Sequence, residues 1–170
     1  PNGTIHIRYD YAPRNPTGRF AEAGLAVALP AEATEFRWIG QGPYAGFPGK
    51  DRLNEFGIFH LTRDDLRFQG NRRETELALL TTPDGAGVAL TCEPADVAVE
   101  RHGSTTLLSH NAVISGLGNK GVSPETRIGA AKTRHIAGRF TLVPVGDDWP
   151  ASLVRWFGQP AAATEVFRPF

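Results

Sequence analysis

The sequence predicts an all-β domain organised as an antiparallel β-sandwich, and three observations carry that prediction. The 19 glycines and 13 prolines among 170 residues are spread along the chain, a punctuation that suits short strands and not long helices. Several runs alternate apolar and polar residues with the period of two that a half-buried strand requires. Strand-sized runs also recur at roughly 8 to 12 residue intervals with turn signals between them, the spacing of a sandwich.

Taken in order, residues 4–11 read T-I-H-I-R-Y-D-Y, with Ile5, Ile7, Tyr9 and Tyr11 on one face and His6, Arg8 and Asp10 on the other. Pro13 and Pro16 make residues 12–18 a loop, and residues 25–29 form a short buried strand that Pro30 ends. Residues 35–39 alternate again before a turn-rich stretch from Gly40 to Gly49. The strongest local signal is residues 74–82, then Pro83-Asp84-Gly85, then residues 88–92, which predicts a hairpin because each turn residue favours a turn position. Further strands are expected at 97–100, 105–108 and 112–115, with breaks at 101–104 and 109–111. Residues 136–145 place Phe140, Leu142 and Pro144 on one face, with Gly138 inviting a bulge. One short helix is expected after Asp147-Asp148, where Pro150 suits the first turn, Leu153, Trp156 and Phe157 share a stripe, and Gly158 is a stop. Residues 1–170 are expected to form a single domain.

Composition narrows the function classes. Eighteen Lys and Arg balance 18 Asp and Glu, which argues against a dedicated nucleic-acid or anionic-membrane binder. No apolar run approaches the roughly 20 residues of a membrane span. Cys92 stands alone and has no intrachain partner for a disulfide, a usage compatible with the cytoplasm and with a periplasmic or secreted setting. The five histidines lack the close spacing of a metal site, no phosphate-binding glycine loop precedes a helix, and no cofactor is implied. A glycosidase needs two carboxylates set roughly 5 to 10 Å apart. The candidates Asp64-Asp65, Glu74, Glu76 and Asp147-Asp148 each have a structural reading, so no catalytic residue is assigned.

The segment from Phe36 to Arg52 is unusual, because a strand bearing Trp38 runs directly into a glycine- and proline-shaped loop with Tyr44 and Phe47. Aromatic rings on rigid loops are suited to stacking on pyranose faces, which makes Trp38 and Tyr44 candidate substrate-binding residues. The alternative is that Trp38 fills the core while Tyr44 and Phe47 staple the loop to the body.

The run Trp38-Ile39-Gly40-Gln41-Gly42-Pro43, followed by Tyr44, Pro48, Asp51 and Arg52, resembles the W-x-G-x-G-P-x-E-x-Y-x-D-R signature of the β-galactosidase small-chain domain in family-two glycoside hydrolases. Gly70-Asn71-Arg72 resembles the G-x-R-T strand, Gly85-Ala86-Gly87-Val88 the G-x-G-L hairpin, residues 116–124 the G-x-G-x-x-S-x-S-P loop, and residues 138–142 the closing strand. The similarity spans about residues 20–145 and looks like the C-terminal part of the longer family domain. It implies part of a galactose-mutarotase-like supersandwich, a piece of a larger multidomain hydrolase whose catalytic glutamates lie on a separate (β/α)₈ barrel. The piece-like opening Pro-Asn-Gly, with no methionine anywhere, agrees with that expectation.

The resemblance also implies a galactoside-like carbohydrate partner, shared with the catalytic domain, and leaves homo-oligomerisation of the parent enzyme open. In the family the loop's tryptophan forms a sugar platform; the matching position here is Val122, and Ala45-Gly46 replace the expected glutamate. Asn119 and Lys120 join Val122 as candidate sugar contacts. Two other readings are a stand-alone carbohydrate-binding module and an aldose-epimerase-like enzyme using His102 or His110 with a carboxylate.

Overall fold

The computed structural model describes residues 3–14, 18–62, 70–115, 128–129 and 135–146. Its elements are β1 (Ile5–Tyr11), β2 (Arg19–Phe20), β3 (Glu22–Pro30), β4 (Glu35–Gly42), β5 (Glu55–Leu61), β6 (Arg72–Thr81), β7 (Gly87–His102), β8 (Thr105–Ile114), β9 (Ile128–Gly129) and β10 (Ile136–Val145). All of the described pairings are antiparallel. The fold is therefore all-β, an antiparallel sandwich. The expected helix after Asp147, and the loop bearing Asn119, Lys120 and Val122, lie outside the described residues.

The eight-stranded sheet runs β1-β10-β7-β6-β4-β5, and β8 joins β7 to β3. Its organising strand is β7. The half of β7 from Gly87 to Thr91 pairs with β6 on one edge and β10 on the other. Beyond a bulge, Asp96 to His102 pair with β8 along the edge that β10 has left. The sheet thereby folds over itself, and the layer made by the paired strands β3 and β8 packs on the face presented by β4, β5, β6 and β10. The shared core joins Phe36, Trp38, Leu80 and Leu90 to Val99 and Leu108.

The alternation read from the sequence sets these faces. In β4, Phe36 and Trp38 point inward while Arg37 and Ile39 point outward, and in β6 Ala78 and Leu80 do the same against Leu77 and Leu79. The hairpin at Pro83-Asp84-Gly85 is present; Gly85 has φ +95°, and Thr82 N–H donates to Ala86 O at 2.8 Å.

Several boundaries differ from expectation. Residues 109–111 do not break a strand: β8 continues through them, because His110 and Asn111 pair with Val97 and Asp96. Likewise β7 continues past Pro94, with the irregularity displaced into register shifts against β6. Gly138 makes no bulge, since the β1-β10 register is unbroken there. It makes space instead: a Cβ at 138 would lie 2.5 Å from Tyr9 Oη. Strands β2, β5 and β9 were not expected.

Candidate functional site

Trp38 begins the turn segment and is fully buried, at 0 % exposure. Phe36 and Phe59 stack on it with ring centroids at 5.1 and 5.2 Å, the Arg72 guanidinium lies 4.8 Å from its ring centroid, and its indole N–H donates to Gln41 O at 3.0 Å. A ring so enclosed has no face to offer a sugar. The expectation of Trp38 as a substrate contact is thus corrected: it is a core residue that also fixes the start of the turn.

The glycines of the same motif have comparable packing roles. A Cβ at Gly40 would lie 2.8 Å from Thr75 Cα, and one at Gly42 would lie 2.6 Å from the Phe59 ring. Both are sites where the backbone runs too close to a neighbour for a side chain. After the cis Gly42-Pro43 peptide the loop is pinned at three points. Tyr44 N–H donates to Asn54 Oδ1 at 3.0 Å, Phe47 and Lys50 exchange backbone bonds, and Arg73 pairs with Asp51. Phe47 is buried and staples the loop, whereas Tyr44 is 36 % exposed, close to the exposed Leu53 and Phe56. Tyr44 is therefore the expected aromatic that does reach the surface.

Below this loop lies a buried polar network. Asn71 Nδ2 donates to Gly46 O at 2.7 Å and to Asp96 Oδ1 at 3.1 Å, while Gly46 N–H donates to Asn71 O. Asn111 Nδ2 reaches Asn71 Oδ1 at 3.4 Å and Glu22 Oε2 at 3.1 Å. Burial raises the Asp96 carboxyl above its ordinary range, against the lowering effect of the Asn71 amide and the Arg73 guanidinium. Arg72, buried in the core, is pushed down to about 10 by desolvation and donates to Asn71 O at 2.9 Å. The network thus joins the 43–54 loop, the start of β6, the middle of β7 and the last turns of β8.

That last connection bears on the candidate sugar loop. Strand β8 ends at Ile114, and Ser115 N–H donates to Ala21 O at 2.6 Å, so the last described residue before position 116 is held at the end that the network braces. Asn119, Lys120 and Val122 themselves lie outside the described residues.

The network was not anticipated. Asn71 precedes β6 and Asn111 sits where a break was expected, and both are buried because they hydrogen-bond within the network.

The remaining histidines are distributed separately. His60 contacts Glu35 at 2.6 Å, His102 contacts Glu100 at 3.2 Å and His135 contacts Asp10 at 3.1 Å. These acid and imidazole pairs lie at or near the surface, on strands except for His135, which precedes β10. His110 is buried, stacks on Phe140 at 5.1 Å and has Nδ1 2.9 Å from Tyr9 Oη. Burial lowers the His110 pKa and pushes the Tyr9 hydroxyl up to about 12, so both are neutral near pH 7. Among the described residues no group of three metal-ligating side chains occurs, and no helix is long and apolar enough to cross a membrane.

The fold and this braced turn define a class: a β-sandwich domain in which a tryptophan-glycine-proline turn is built into the core. The chain belongs to the beta galactosidase small chain family, whose model matches residues 1–128. The match takes in β1 as well as the turn and extends to the first residue, further towards the N-terminus than the motif resemblance alone. No curated protein matches the chain.

Proposed function

We propose that this domain is a non-catalytic part of a family-two, galactosidase-like hydrolase, and that it helps to shape a carbohydrate site whose acid and base lie on a separate barrel. Family membership supports the galactoside setting. The observation that supports the loop role is the Asn71–Asn111 link, which ties the last part of β8 to the 43–54 loop. In this reading Asn119 and Lys120 present hydrogen-bonding groups to sugar hydroxyls. Val122 offers an aliphatic contact where an indole would stack, which weakens the platform and alters substrate preference. Tyr44 lies on the 43–54 loop that the same network holds.

In the full polypeptide, Asn119→Ala and Lys120→Ala are expected to raise KM for a nitrophenyl galactoside while leaving the urea midpoint unchanged. Unaltered kinetics in both variants would remove the loop from the site. The 170-residue chain alone is expected to show only background hydrolysis; turnover that these substitutions abolish would overturn the non-catalytic reading.

A stand-alone carbohydrate-binding module is the second reading, and the exposed Tyr44 ring favours it. It requires Tyr44→Ala to abolish sugar binding by the isolated chain without loss of fold.

A further inference from the structure

A cleft opens where β10 and β7 part. Their ladder ends at Thr141 and Thr91, and β8 takes over the same edge of β7 only from Asp96. Over the intervening residues β7 bulges away from β6 as well, since Leu77 faces Thr91 while Thr75 faces Ala95. The backbone of Cys92 to Pro94 is thus released from the ladders on both sides. Two adjoining hollows of about 450 and 550 Å³ occupy this fork and share Arg8, Glu93 and Arg139 as walls. Each lies within the roughly 300 to 1,000 Å³ range of small-ligand sites.

The fork's chemistry is specific. Its floor holds the Tyr9–His110 pair, admitted because Gly138 has no side chain. Arg8 lies directly opposite Arg139 in the β1-β10 register, and Arg139 pairs with Glu93 from across the gap. Like charges facing one another across strands disfavour the pairing, so the Arg8–Arg139 contact does not itself stabilise the ladder. It has no ion-pair partner among the described residues. Asp10 adds a second carboxylate and Thr141 Oγ1 holds His6 Nδ1 at 3.0 Å. The two guanidiniums and two carboxylates sum to no net charge, with His135 in contact with Asp10, while Tyr9 and His110 are neutral.

We infer that this fork is a second ligand site that takes a neutral polyhydroxylated molecule, of the hexose or short saccharide class. A vicinal diol donates to a carboxylate and accepts from a guanidinium; Glu93 beside Arg139 supplies one such pair, and Arg8 and Asp10 line the same fork from β1. Charge-assisted bonds of this kind are the stronger ones available to a hydroxyl. A cation or an anion would find one repelling pair for every attracting pair. The family setting enters only in choosing galactose and lactose as probes.

The test is a titration of the whole 170-residue chain with galactose and lactose, followed by backbone amide NMR. Saturable shifts at Arg8, Glu93, Ala95 and Arg139 are expected, with weakening of tenfold or more in both Arg139→Ala and Glu93→Ala. Those side chains are 70 % and 74 % exposed, so neither variant threatens the fold. Binding should persist as salt is raised, since a neutral ligand has no long-range attraction to screen. Absence of shifts in the fork overturns the assignment, as does galacturonate binding more tightly than galactose. Shifts confined to residues 116–124 would also overturn it, while leaving the loop reading intact.

Discussion

Replacing Trp38 separates a core role from a binding role, because the two make opposite demands on stability. Its indole stacks with Phe36 and Phe59 at 5.1 and 5.2 Å, donates one hydrogen bond and lies under a guanidinium. Truncation of a buried tryptophan to alanine costs about 3 to 5 kcal/mol. Against the roughly 5 to 15 kcal/mol of a typical domain, that is a large fraction of the whole. Trp38→Phe keeps the stack but loses the indole hydrogen bond, about 1 kcal/mol, and part of the cation–π contact. In a double-mutant cycle with Arg72→Met, the coupling should be about 0.5 to 2 kcal/mol. Urea unfolding followed by far-UV circular dichroism reads all of these free energies on one scale. If Trp38→Ala lost less than 1 kcal/mol, or removed sugar binding at an unchanged urea midpoint, the core assignment would be refuted.

Gly70→Ala should cost about 3 kcal/mol or more, because the added Cβ would sit 1.9 Å from Val99 O and only a backbone shift relieves it; a urea midpoint near the wild-type value would contradict this. The Cys92 thiol, pushed up to about 12 by burial and by the Glu76 charge, donates to Thr75 O at 3.2 Å. Its alkylation at pH 8 should therefore be slow in the folded chain and accelerate sharply in denaturant. Asp96, whose folded pKa is raised, holds its proton to higher pH folded than unfolded. Its contribution to stability accordingly grows as pH falls from neutral through the folded pKa and is lost on the way back up. Comparing urea midpoints of wild type and Asp96→Asn across that interval should show this component only in the wild type. Finally, Asn71→Ala leaves the Gly46 carbonyl and Asp96 without their amide partner, and should cost about 1 to 3 kcal/mol and loosen the 43–54 loop, seen as faster amide exchange at Gly46 and Phe47.

The faces of β1 and β4 and the hairpin at Asp84 were legible because each rests on local signals: alternation over a few residues, or turn residues in sequence. Strand β5 was not, since Phe56, Ile58, Phe59 and Leu61 put apolar groups on both faces and blur the period of two. Asn111 read as part of a break, yet it sits inside a strand whose neighbours fix its course. The turn motif itself was visible, and so was the choice between Trp38 as ligand contact and as core; burial decided it. The amide network was invisible in a practical sense. Asn71 and Asp96 are 25 residues apart, and Asn111 and Glu22 are 89 apart, so no local pattern ties them.

One strand, β7, supplies hydrogen bonds to β6, β10 and β8, and so belongs to both layers. Neither layer can then open without breaking the other's ladder, which makes the described sandwich a single cooperative unit for amide exchange. The same sharing requires partners far apart in the chain, β1 with β10 among them, to meet before either layer closes. Folding should consequently be slow, in the milliseconds-to-seconds range of β-sandwiches, with little partly formed product along the way.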